Sequence, residues 1–369
     1  MMKAPAFWSA PADDFSLPRM VLTPPAALYQ FAGQLRHSFS QPDHVGRPVI
    51  CVGNISLGGT GKTPICMMLA ALLSAQGEQP AVISRGYGGS QKSPLQVDPA
   101  RHTAELTGDE PLMMAAQLPV FIARNRPLAA RLAVQNKAGV LLMDDGLQNP
   151  SLARCLNLVV VDRKVGFGNG AVFPAGPLRE PVMQALLRAD VLILMGDALH
   201  NKKNEHETNQ NEKNEREDIL ALIEMAETCG IDIFQAQLKP RQIEPQQMIA
   251  FCGIGRPEKF YDLLEQSGYT LHSRHSFADH HHYTAREARD LLALAARENL
   301  PLITTQKDMA RLTRPNQMST PSALSATSEL AQQAQVFEVE AVCDEPERLT
   351  RRIMDALAED RQSHLYTSP

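Results

Sequence analysis

The sequence feature that most constrains the fold is a glycine-rich turn between an apolar run and a helical pattern. Residues 49–63 read VICVGNISLGGTGKT, so three closely spaced glycines precede a Lys-Thr pair. Glycines let successive backbone N–H groups close around an anionic phosphate, and the start of a helix adds its dipole to that attraction. The pattern therefore predicts a β-strand, a phosphate-binding loop and a helix, which together open a P-loop fold.

Separate roles are predicted for the residues of this loop. Lys62 is expected to neutralise the β and γ phosphate oxygens, and the Thr63 hydroxyl to bind Mg²⁺. The strict GxxxxGK[ST] pattern is broken once, because Ser56 stands where the first glycine is usual. The flanking strand and helix patterns favour a nucleotide site over an incidental Lys-Thr pair. The predicted nucleotide-binding residues are Ser56, Leu57, Gly58, Gly59, Thr60, Gly61, Lys62 and Thr63.

Short apolar runs separated by helical patterns recur along the chain. Nearly continuous apolar runs are typical of strands in a parallel sheet that is covered on both faces. The fold class is therefore α/β, with a P-loop NTPase-like, mostly parallel sheet and helices on both faces. The predicted strands are 48–52, 81–84, 120–123, 140–143, 158–161 and 191–195, and the predicted early helices are 64–76 and 109–117.

A smaller C-terminal α/β lobe is predicted from the later patterns. Its predicted strands are 248–252, 302–304 and 336–342, and its predicted helices are 257–266 and 285–298. Two polar stretches are interpreted as surface additions: 201–218 as a solvated insertion, followed by a helix at 219–227, and 315–334 as a surface loop. The predicted domains are an N-terminal segment 1–45, a P-loop core 46–243 and the lobe 244–369.

Composition excludes some classes of protein. A formal charge of -5 over 369 residues gives no overall basic field, so nucleic acid is not an expected partner. Six scattered cysteines without a CxxC pair favour free thiols in a reducing compartment. No run reaches the roughly 18 apolar residues of a spanning helix. Residues 15–39 mix apolar and basic side chains, which fits either a helix at a membrane surface or a helix packed on its own domain, and Pro24 and Pro25 interrupt the pattern.

Two acids end a predicted strand of the core. Residues 139–146 read GVLLMDDG, which places Asp144 and Asp145 where a P-loop fold holds the carboxylate that binds Mg²⁺ directly or through water. The alternative is a pair of solvated acids in an Asp-Gly turn. The preceding phosphate loop favours the metal site.

Other clusters offer groups for proton transfer and charge neutralisation. Asp109 lies in TGDEP, Arg85 and Tyr87 lie in SRGYGG, and Arg179 and Glu180 lie in PLREP. Each also has a structural interpretation, as a helix start or a surface ion pair.

Three adjacent histidines occur in FADHHHY, at 277–283. They cannot all face one metal from a strand, so a histidine paired with a distant carboxylate is the better functional interpretation, and Asp109 is the predicted partner. The alternative is a polar surface loop. The segment TTQKD at 304–308 fits either a nucleotide contact or a helix cap.

Seven motifs occur in one order: GNISLGGTGKTP, SRGYGG, TGDEP, MDDGLQ, FPAGPLREP, FADHHHY and TTQKD. From residue 47 to about residue 308 the chain resembles the lipid A 4'-kinases, the tetraacyldisaccharide 4'-kinase family. The resemblance implies an enzyme that uses ATP and Mg²⁺ to phosphorylate the 4'-hydroxyl of an acylated glucosamine disaccharide 1-phosphate, giving lipid IVA.

The resemblance also implies roles for particular residues. Asp109 and His280 would form the proton-accepting pair, and Lys62 and Arg179 would offset charge on the transferred phosphate. A set of oxygen ligands would hold Mg²⁺: Thr63, Asp144, Asp145 and Glu180. A set of side chains would meet the anionic substrate: Arg85, Tyr87 and Arg124, with Arg126 as a further cation.

The expected location follows from the acylated substrate. The resemblance implies a peripheral protein on the cytoplasmic face of the inner membrane, with the N-terminal segment against the membrane surface and no obligate protein partner. Two alternatives remain: a P-loop NTPase that uses hydrolysis as a switch for protein or metal delivery, and a kinase for a soluble alcohol or sugar on the same scaffold.

Overall fold

The computed structural model describes residues 5–8, 16–196, 210–313 and 321–367. The chain divides into two compact units. The larger unit comprises Met2–Ile83, Arg126–Leu238 and Ala341–Pro369, and the smaller unit comprises Ser84–Asn125 and Lys239–Glu340. These units do not follow the predicted limits at 45 and 243, because composition along the chain cannot show which distant segments fold together.

Helices and strands are numbered in chain order through both units, after a short 3₁₀ helix at Ala6–Trp8. The strands are β1 Val49–Gly53, β2 Pro80–Ser84, β3 Leu95–Gln96, β4 Val120–Ile122, β5 Val140–Asp144, β6 Leu156–Asp162, β7 Val191–Met195, β8 Asp232–Pro240, β9 Gln247–Cys252, β10 Thr270–Ser276, β11 Leu302–Thr305, β12 Ala334–Phe337 and β13 Val339–Cys343. The helices are α1 Leu17–Phe39, α2 Lys62–Ala75, α3 Ala104–Thr107, α4 Asp109–Ala115, α5 Arg126–Gln135, α6 Val182–Leu186, α7 Gln210–Thr228, α8 Pro257–Gln266, α9 Ala285–Glu298, α10 Gln306–Leu312, α11 Pro321–Gln333 and α12 Pro346–Thr367.

The larger unit is built on a sheet whose strand order runs β13-β8-β7-β6-β1-β5-β2. Neighbouring strands from β8 to β2 are parallel. Every residue of β1, β2, β5 and β7 is buried, as expected for a parallel sheet covered on both faces. In the register Val52 of β1 lies opposite Asp144 of β5, so the loop after β1 and the acids that end β5 leave the same edge of the sheet.

The smaller unit has a parallel sheet of its own, in the order β10-β9-β11-β12. Its central strand β9 alternates between two apolar clusters, because successive side chains of a strand point to opposite faces. Met248 and Ala250 pack with Tyr261 and Leu264 of α8. On the other face Ile249 and Phe251 pack with residues of α9 and α11. An antiparallel pair, β3 with β4, also belongs to this unit.

The α/β prediction is confirmed, and so are the predicted helices and every predicted strand except the one at 336–342. The prediction of one strand over 336–342 is wrong, because the run divides at Glu338 into β12 and β13, which join different sheets. An unbroken apolar pattern cannot show that its two halves pair with different neighbours.

Helices extend into both stretches predicted as polar surface additions, and the prediction of a loop over 315–334 is wrong in its described part. Residues 210–218 of the predicted insertion form the start of α7, because Glu, Lys, Arg and Gln are good helix formers and Ile219, Leu222 and Ala226 anchor the helix in the core. The predicted loop 315–334 contains α11, whose Ala326 and Leu330 are buried four residues apart. Residues 201–209 and 315–320 lie outside the described residues.

The N-terminal helix α1 is continuous over Leu17–Phe39, although Pro24 and Pro25 were expected to interrupt it. Phe15 lies outside the described residues. Ala26 is the buried residue of this helix, and many of its large apolar side chains are exposed: Leu17, Met20, Val21, Leu28, Tyr29, Phe31, Leu35 and Phe39. Within the described part of the chain, no helix has the length and apolar character to cross a bilayer.

Replacing Leu330 by Ala tests the buried position of α11. The side chain is fully buried, so its truncation should lower the free energy of unfolding by about 2 to 5 kcal/mol. Gln332→Ala in the same helix is exposed and should change it by less than about 0.5 kcal/mol. Urea unfolding of both variants measures the difference, and equal stabilities would contradict the buried helix.

Candidate phosphate site and carboxylate-histidine site

The glycine-rich loop of the larger unit leaves room for a bound anion. Gly58 and Gly61 have φ of 117° and 90°, a region in which side chains with a Cβ are strained. A Cβ added at Gly58 or Gly59 would meet nothing within 4 Å, so open space lies beside the loop backbone. The Thr60 hydroxyl is buried and has no hydrogen-bond partner among the residues that the structure describes. An orphaned donor next to open space fits a phosphate group.

The departure at Ser56 has a local explanation. Its carbonyl oxygen accepts a hydrogen bond from the Asn54 side chain at 2.6 Å, and its backbone φ is not positive. Ser56 also forms an isolated bridge with Leu178. A glycine is therefore not needed at the first position of the turn, because ordinary backbone geometry and two local contacts hold it.

Helix α2 begins at Lys62, directly after the loop. Its N-cap Gly61 has no side chain to accept hydrogen bonds from the first turn, which leaves those N–H groups for a bound anion. The Lys62 ammonium lies 3.5 Å from the Asp145 carboxylate. Thr63 is buried in the first turn of the helix. Lys62 and Thr63 therefore stand at the start of α2, with the Lys62 ammonium beside Asp145.

The two predicted acids differ in their surroundings. Asp144 is buried and accepts a weak hydrogen bond from the Cys66 thiol, with Sγ 3.7 Å from Oδ1. Asp145 accepts a hydrogen bond from Arg179 at 2.8 Å and has φ of 51°. Burial opposes ionisation of Asp145, but Lys62 and Arg179 outweigh it and lower the pKa of this carboxyl to about 2. Both side chains lie beside the start of α2.

Gln148 connects the remaining predicted residues of this site. Its amide nitrogen donates to Glu180 at 2.9 Å, and its amide oxygen accepts from Arg179 at 3.2 Å. Arg188 forms an ion pair with Glu180. No role was predicted for Gln148, although it ends the MDDGLQ motif, because a single amide gives no chemical signal in a sequence.

The predicted oxygen ligands would suit a metal that is held partly by the phosphates of a nucleotide. Among the residues that the structure describes, no group of three or more His, Cys, Asp or Glu side chains could hold a metal ion. Mg²⁺ is usually bound by one or two carboxylates, several waters and the substrate phosphates. A hydroxyl and a few carboxylates near the phosphate loop fit that mode: Thr63, Asp144, Asp145 and Glu180.

Arg126 has a structural position in the larger unit. Its guanidinium donates to the backbone oxygens of Asp145 at 2.7 Å and Asp144 at 3.4 Å, and its side chain is buried. It therefore supports the turn that carries the acids and is not an exposed cation for a substrate headgroup.

The smaller unit brings Asp109 and His280 together, 171 positions apart in the chain. The Nδ1 atom of His280 lies 3.0 Å from Oδ2 of Asp109, the first residue of α4. The side-chain exposure is 32% for His280 and 6% for Asp109, so the imidazole is the accessible partner. His280 has φ of 58°, and its N–H donates to the Gly253 carbonyl at 3.1 Å. A non-glycine residue in this region is strained and is often functional.

Electrostatics couple the two groups. Burial opposes ionisation of Asp109, but hydrogen bonds with His280 and Arg311 hold the pKa of this carboxyl well below its usual range. The hydrogen bond with Asp109 raises the pKa of His280 against the opposing effect of burial. The pair thus favours an ionised carboxylate beside a basic imidazole.

The neighbouring histidines have different partners. His281 hydrogen-bonds Glu287 at 3.0 Å and stacks on Phe277, while Glu287 completes the capping box of α9. His282 is exposed and lies 3.7 Å from Glu105. Of these three histidines, His280 is the one that reaches Asp109, which is the pairing that the family resemblance implies.

Three predicted substrate residues lie on loops of the smaller unit. The Ala123 N–H donates to the Ser84 carbonyl at 3.1 Å. The exposed Arg85 and Arg124 each come directly after one of these two hydrogen-bonded residues. The ring centroid of Tyr87 lies 6.3 Å from that of His280. Of these three residues, Tyr87 is therefore the one placed beside His280.

A close approach of two loops fixes Tyr87. A Cβ added at Gly108 would lie 2.4 Å from the Tyr87 carbonyl oxygen, and Gly108 has φ of 88°. Glycine is therefore required in TGDEP where it meets SRGYGG.

The segment 304–308 was predicted to form either a nucleotide contact or a helix cap, and the structure shows the helix cap. The Thr305 hydroxyl accepts from the Asp308 N–H at 3.1 Å at the start of α10. Lys307 forms an ion pair with Glu110. A nucleotide contact by this segment stays a prediction.

Arg311 is a functional candidate that sequence reasoning missed. Its guanidinium contacts Asp109 and Asp308, and its side chain is 2% exposed. An arginine inside a helical pattern carries no motif, and its acidic partner in α4 is 202 positions away. Only the folded chain shows this contact.

The larger unit, with its glycine loop at a helix start and acids ending the neighbouring parallel strand, defines a P-loop nucleotide-binding protein of the α/β class. The model of the Tetraacyldisaccharide-1-P 4'-kinase family matches residues 18–358. The chain belongs to this family.

Known proteins agree with this assignment. The chain is 40% identical over 365 residues to the tetraacyldisaccharide 4'-kinase of Rhodospirillum centenum, covering 97% of each chain. It is 43% identical over 317 residues to that of Parvibaculum lavamentivorans, covering 84% of this chain and 87% of the relative. A crystal structure of LpxK from Aquifex aeolicus in complex with ATP matches with a TM-score of 0.66 and 24% identity, over 92% of this chain and 99% of that one, which shows the shared fold.

Proposed function

We propose that this chain transfers the γ-phosphate of ATP to the 4'-hydroxyl of tetraacyldisaccharide 1-phosphate, an acylated glucosamine disaccharide, to form lipid IVA in lipid A biosynthesis. Its family and its relatives named tetraacyldisaccharide 4'-kinase support this activity. The observation that carries the proposal is the hydrogen-bonded Asp109–His280 pair. Phosphorylation of a sugar hydroxyl requires a group that accepts its proton, and an imidazole oriented by a carboxylate is suited to that step.

The phosphate loop would hold the nucleotide. The Thr60 hydroxyl, which has no partner in the described part of the chain, and the first N–H groups of α2 would donate to phosphate oxygens. Lys62 would neutralise the β and γ oxygens, and Thr63 would contribute its hydroxyl to the metal together with the acids that end β5. Bound ATP and Mg²⁺ supply the phosphoryl group and neutralise its charge during transfer.

His280 would take the proton from the acceptor. Its Nδ1 is engaged by Asp109, so Nε2, which lies 3.8 Å from Asp279 Oδ2, would be the ring nitrogen that meets the acceptor hydroxyl. As the 4'-oxygen attacks phosphorus, its proton would pass to Nε2, and the ionised Asp109 would stabilise the imidazolium that forms. The imidazole is more exposed than the carboxylate, which favours His280 as the direct acceptor and Asp109 as the group that orients it.

Arg179 would offset charge on the transferred phosphate. Its guanidinium is held by Asp145 and Gln148, which fixes its direction. The exposed Arg85 and Arg124, with Tyr87, would bind the anionic headgroup of the acceptor. Arginine is well suited to phosphate because its planar fork donates two parallel hydrogen bonds.

The N-terminal helix would place the enzyme on the cytoplasmic face of the inner membrane. Exposed apolar side chains in α1 include Leu28, Phe31 and Leu35, which share one side of a helix because they are three and four residues apart. Tyr29 and Trp8 both contact the ring of Phe173, which adds aromatic surface near the helix. Apolar and aromatic side chains with flanking cations are typical of helices that lie in the lipid headgroup region.

Phosphoryl transfer tests the activity. Wild-type protein with labelled ATP, Mg²⁺ and detergent should label tetraacyldisaccharide 1-phosphate, and Lys62→Ala should abolish labelling because the phosphate loop loses its cation.

Asp109→Ala should lower kcat by about 100-fold or more and leave ATP affinity nearly unchanged, since it acts on the acceptor proton.

Lys239→Ala, which removes an exposed lysine of β8, is the matched control and should retain full activity. Hydrolysis of ATP without labelled lipid would contradict the kinase and favour the NTPase switch. Equal loss of ATP binding in Asp109→Ala would contradict the role in proton transfer.

A partitioning measurement tests the membrane surface. Phe31→Glu should weaken binding to vesicles of phosphatidylethanolamine and phosphatidylglycerol by about tenfold or more, because a 59% exposed aromatic side chain is replaced by a charge that anionic lipid repels. Gln34→Glu adds the same charge to the same helix without removing an apolar group. Equal weakening by both substitutions, or by neither, would contradict contact through the apolar side of α1.

A further inference from the structure

Asp109 is held by a second group besides His280. The guanidinium of Arg311 donates from Nε to Asp109 Oδ2 at 3.0 Å, and its Nη2 also contacts the same oxygen. Both side chains are almost fully buried, with 2% and 6% exposure. A buried carboxylate requires a charged partner, and an arginine with several donors in a rigid fork can fix its position as well as its charge.

Arg311 also reaches the backbone that carries His280. Its Nη1 donates to the Gly253 carbonyl at 2.6 Å, and the same oxygen accepts from the His280 N–H at 3.1 Å. One guanidinium therefore contacts the carboxylate of the pair and the carbonyl that anchors the imidazole. Because His280 is held at a strained positive φ, that anchor opposes relaxation of its backbone.

The arginine is itself fixed by its surroundings. Asp308 accepts from Arg311 Nη1 at 2.8 Å, from the Gly253 N–H at 2.9 Å and from the Tyr283 hydroxyl at 3.0 Å. A Cβ at Gly253 would lie within 3.2 Å of Asp308, so the backbone approaches this network closely. These contacts link α10, the end of β9 and the loop of His280 into one hydrogen-bonded group.

We propose that Arg311 is the positioning residue of the Asp109–His280 pair, acting through both the Asp109 carboxylate and the Gly253 carbonyl. It touches neither nucleotide nor acceptor in this role. Its loss would let the carboxylate and imidazole separate, so the proton acceptor would be misplaced while the nucleotide site of the larger unit is unchanged. The inference rests on the proposed kinase activity.

Steady-state kinetics of the full-length protein test the inference. Arg311→Gln should lower kcat by about 100-fold, the size of the effect of a misplaced general base, with KM for ATP changed by less than about twofold. Arg311→Lys keeps the positive charge but lacks the planar fork of donors, so its kcat should be about tenfold higher than that of Arg311→Gln. Arg241→Gln is the control, because Arg241 is an exposed arginine of the same unit that pairs with Glu338 and Glu340.

A double-mutant cycle separates positioning from general support of the fold. If Arg311 acts through Asp109, then adding Arg311→Gln to Asp109→Asn should lower kcat by less than about threefold further. The inference would be overturned if the kcat decreases of the two single variants multiplied in the double variant. It would also be overturned if Arg311→Gln kept wild-type kcat.

If Arg311→Gln does not fold, the kinetics of Arg311→Lys test the inference without it. A lowered kcat with unchanged KM for ATP supports positioning, and wild-type kcat overturns it. A wild-type protein that does not phosphorylate the lipid contradicts the proposed function itself, whereas an active wild type with an unaffected Arg311→Gln contradicts the inference alone.

Discussion

The buried charge of Asp109 is the constraint on which the smaller unit's chemistry depends. A carboxylate removed from water is costly unless charged and hydrogen-bonded partners replace the solvent. His280 and Arg311 supply those partners, from a loop and a helix far along the chain. Their contacts hold Asp109 ionised, and the hydrogen bond with Asp109 raises the pKa of His280, so a single buried acid both orders the site and makes the imidazole more basic.

The larger unit has a different electrostatic requirement, because its site is suited to bind a highly charged anion. Its loop offers open space, a Thr60 hydroxyl that no described residue pairs with, and the start of α2, while Lys62 and Arg179 are held by Asp145. The parallel register of β1 and β5 places loop and acids at one sheet edge. Contact with Asp145 stabilises the two cations before nucleotide binds. It also fixes the directions in which their side chains point when the nucleotide arrives.

Local patterns predicted most of the fold and much of the site. Continuous apolar strands, the glycine loop and the strand-end acids each depend on a few neighbouring residues, and the structure has them as predicted. Features set by distant contacts were missed: the separate pairing of β12 and β13, the burial of Leu330, and the contact of Arg311 with Asp109. Asp109 and His280 were paired through their chemistry and the family resemblance, while Gln148 and Arg311 have no sequence signal because amides and helical arginines are common.

The pH dependence of kcat tests the central claim most directly. If neutral His280 accepts the proton, kcat should fall as pH drops below its raised pKa, and Asp109→Asn should move this inflection to lower pH, because the carboxylate no longer stabilises the imidazolium. Other charged groups near the pair stay in place: Glu110, Asp279, Lys307, Asp308 and Arg311. Asp290→Asn, an exposed acid of α9, should leave the inflection unchanged. An inflection that is also unchanged in Asp109→Asn would contradict proton transfer to an imidazole paired with Asp109.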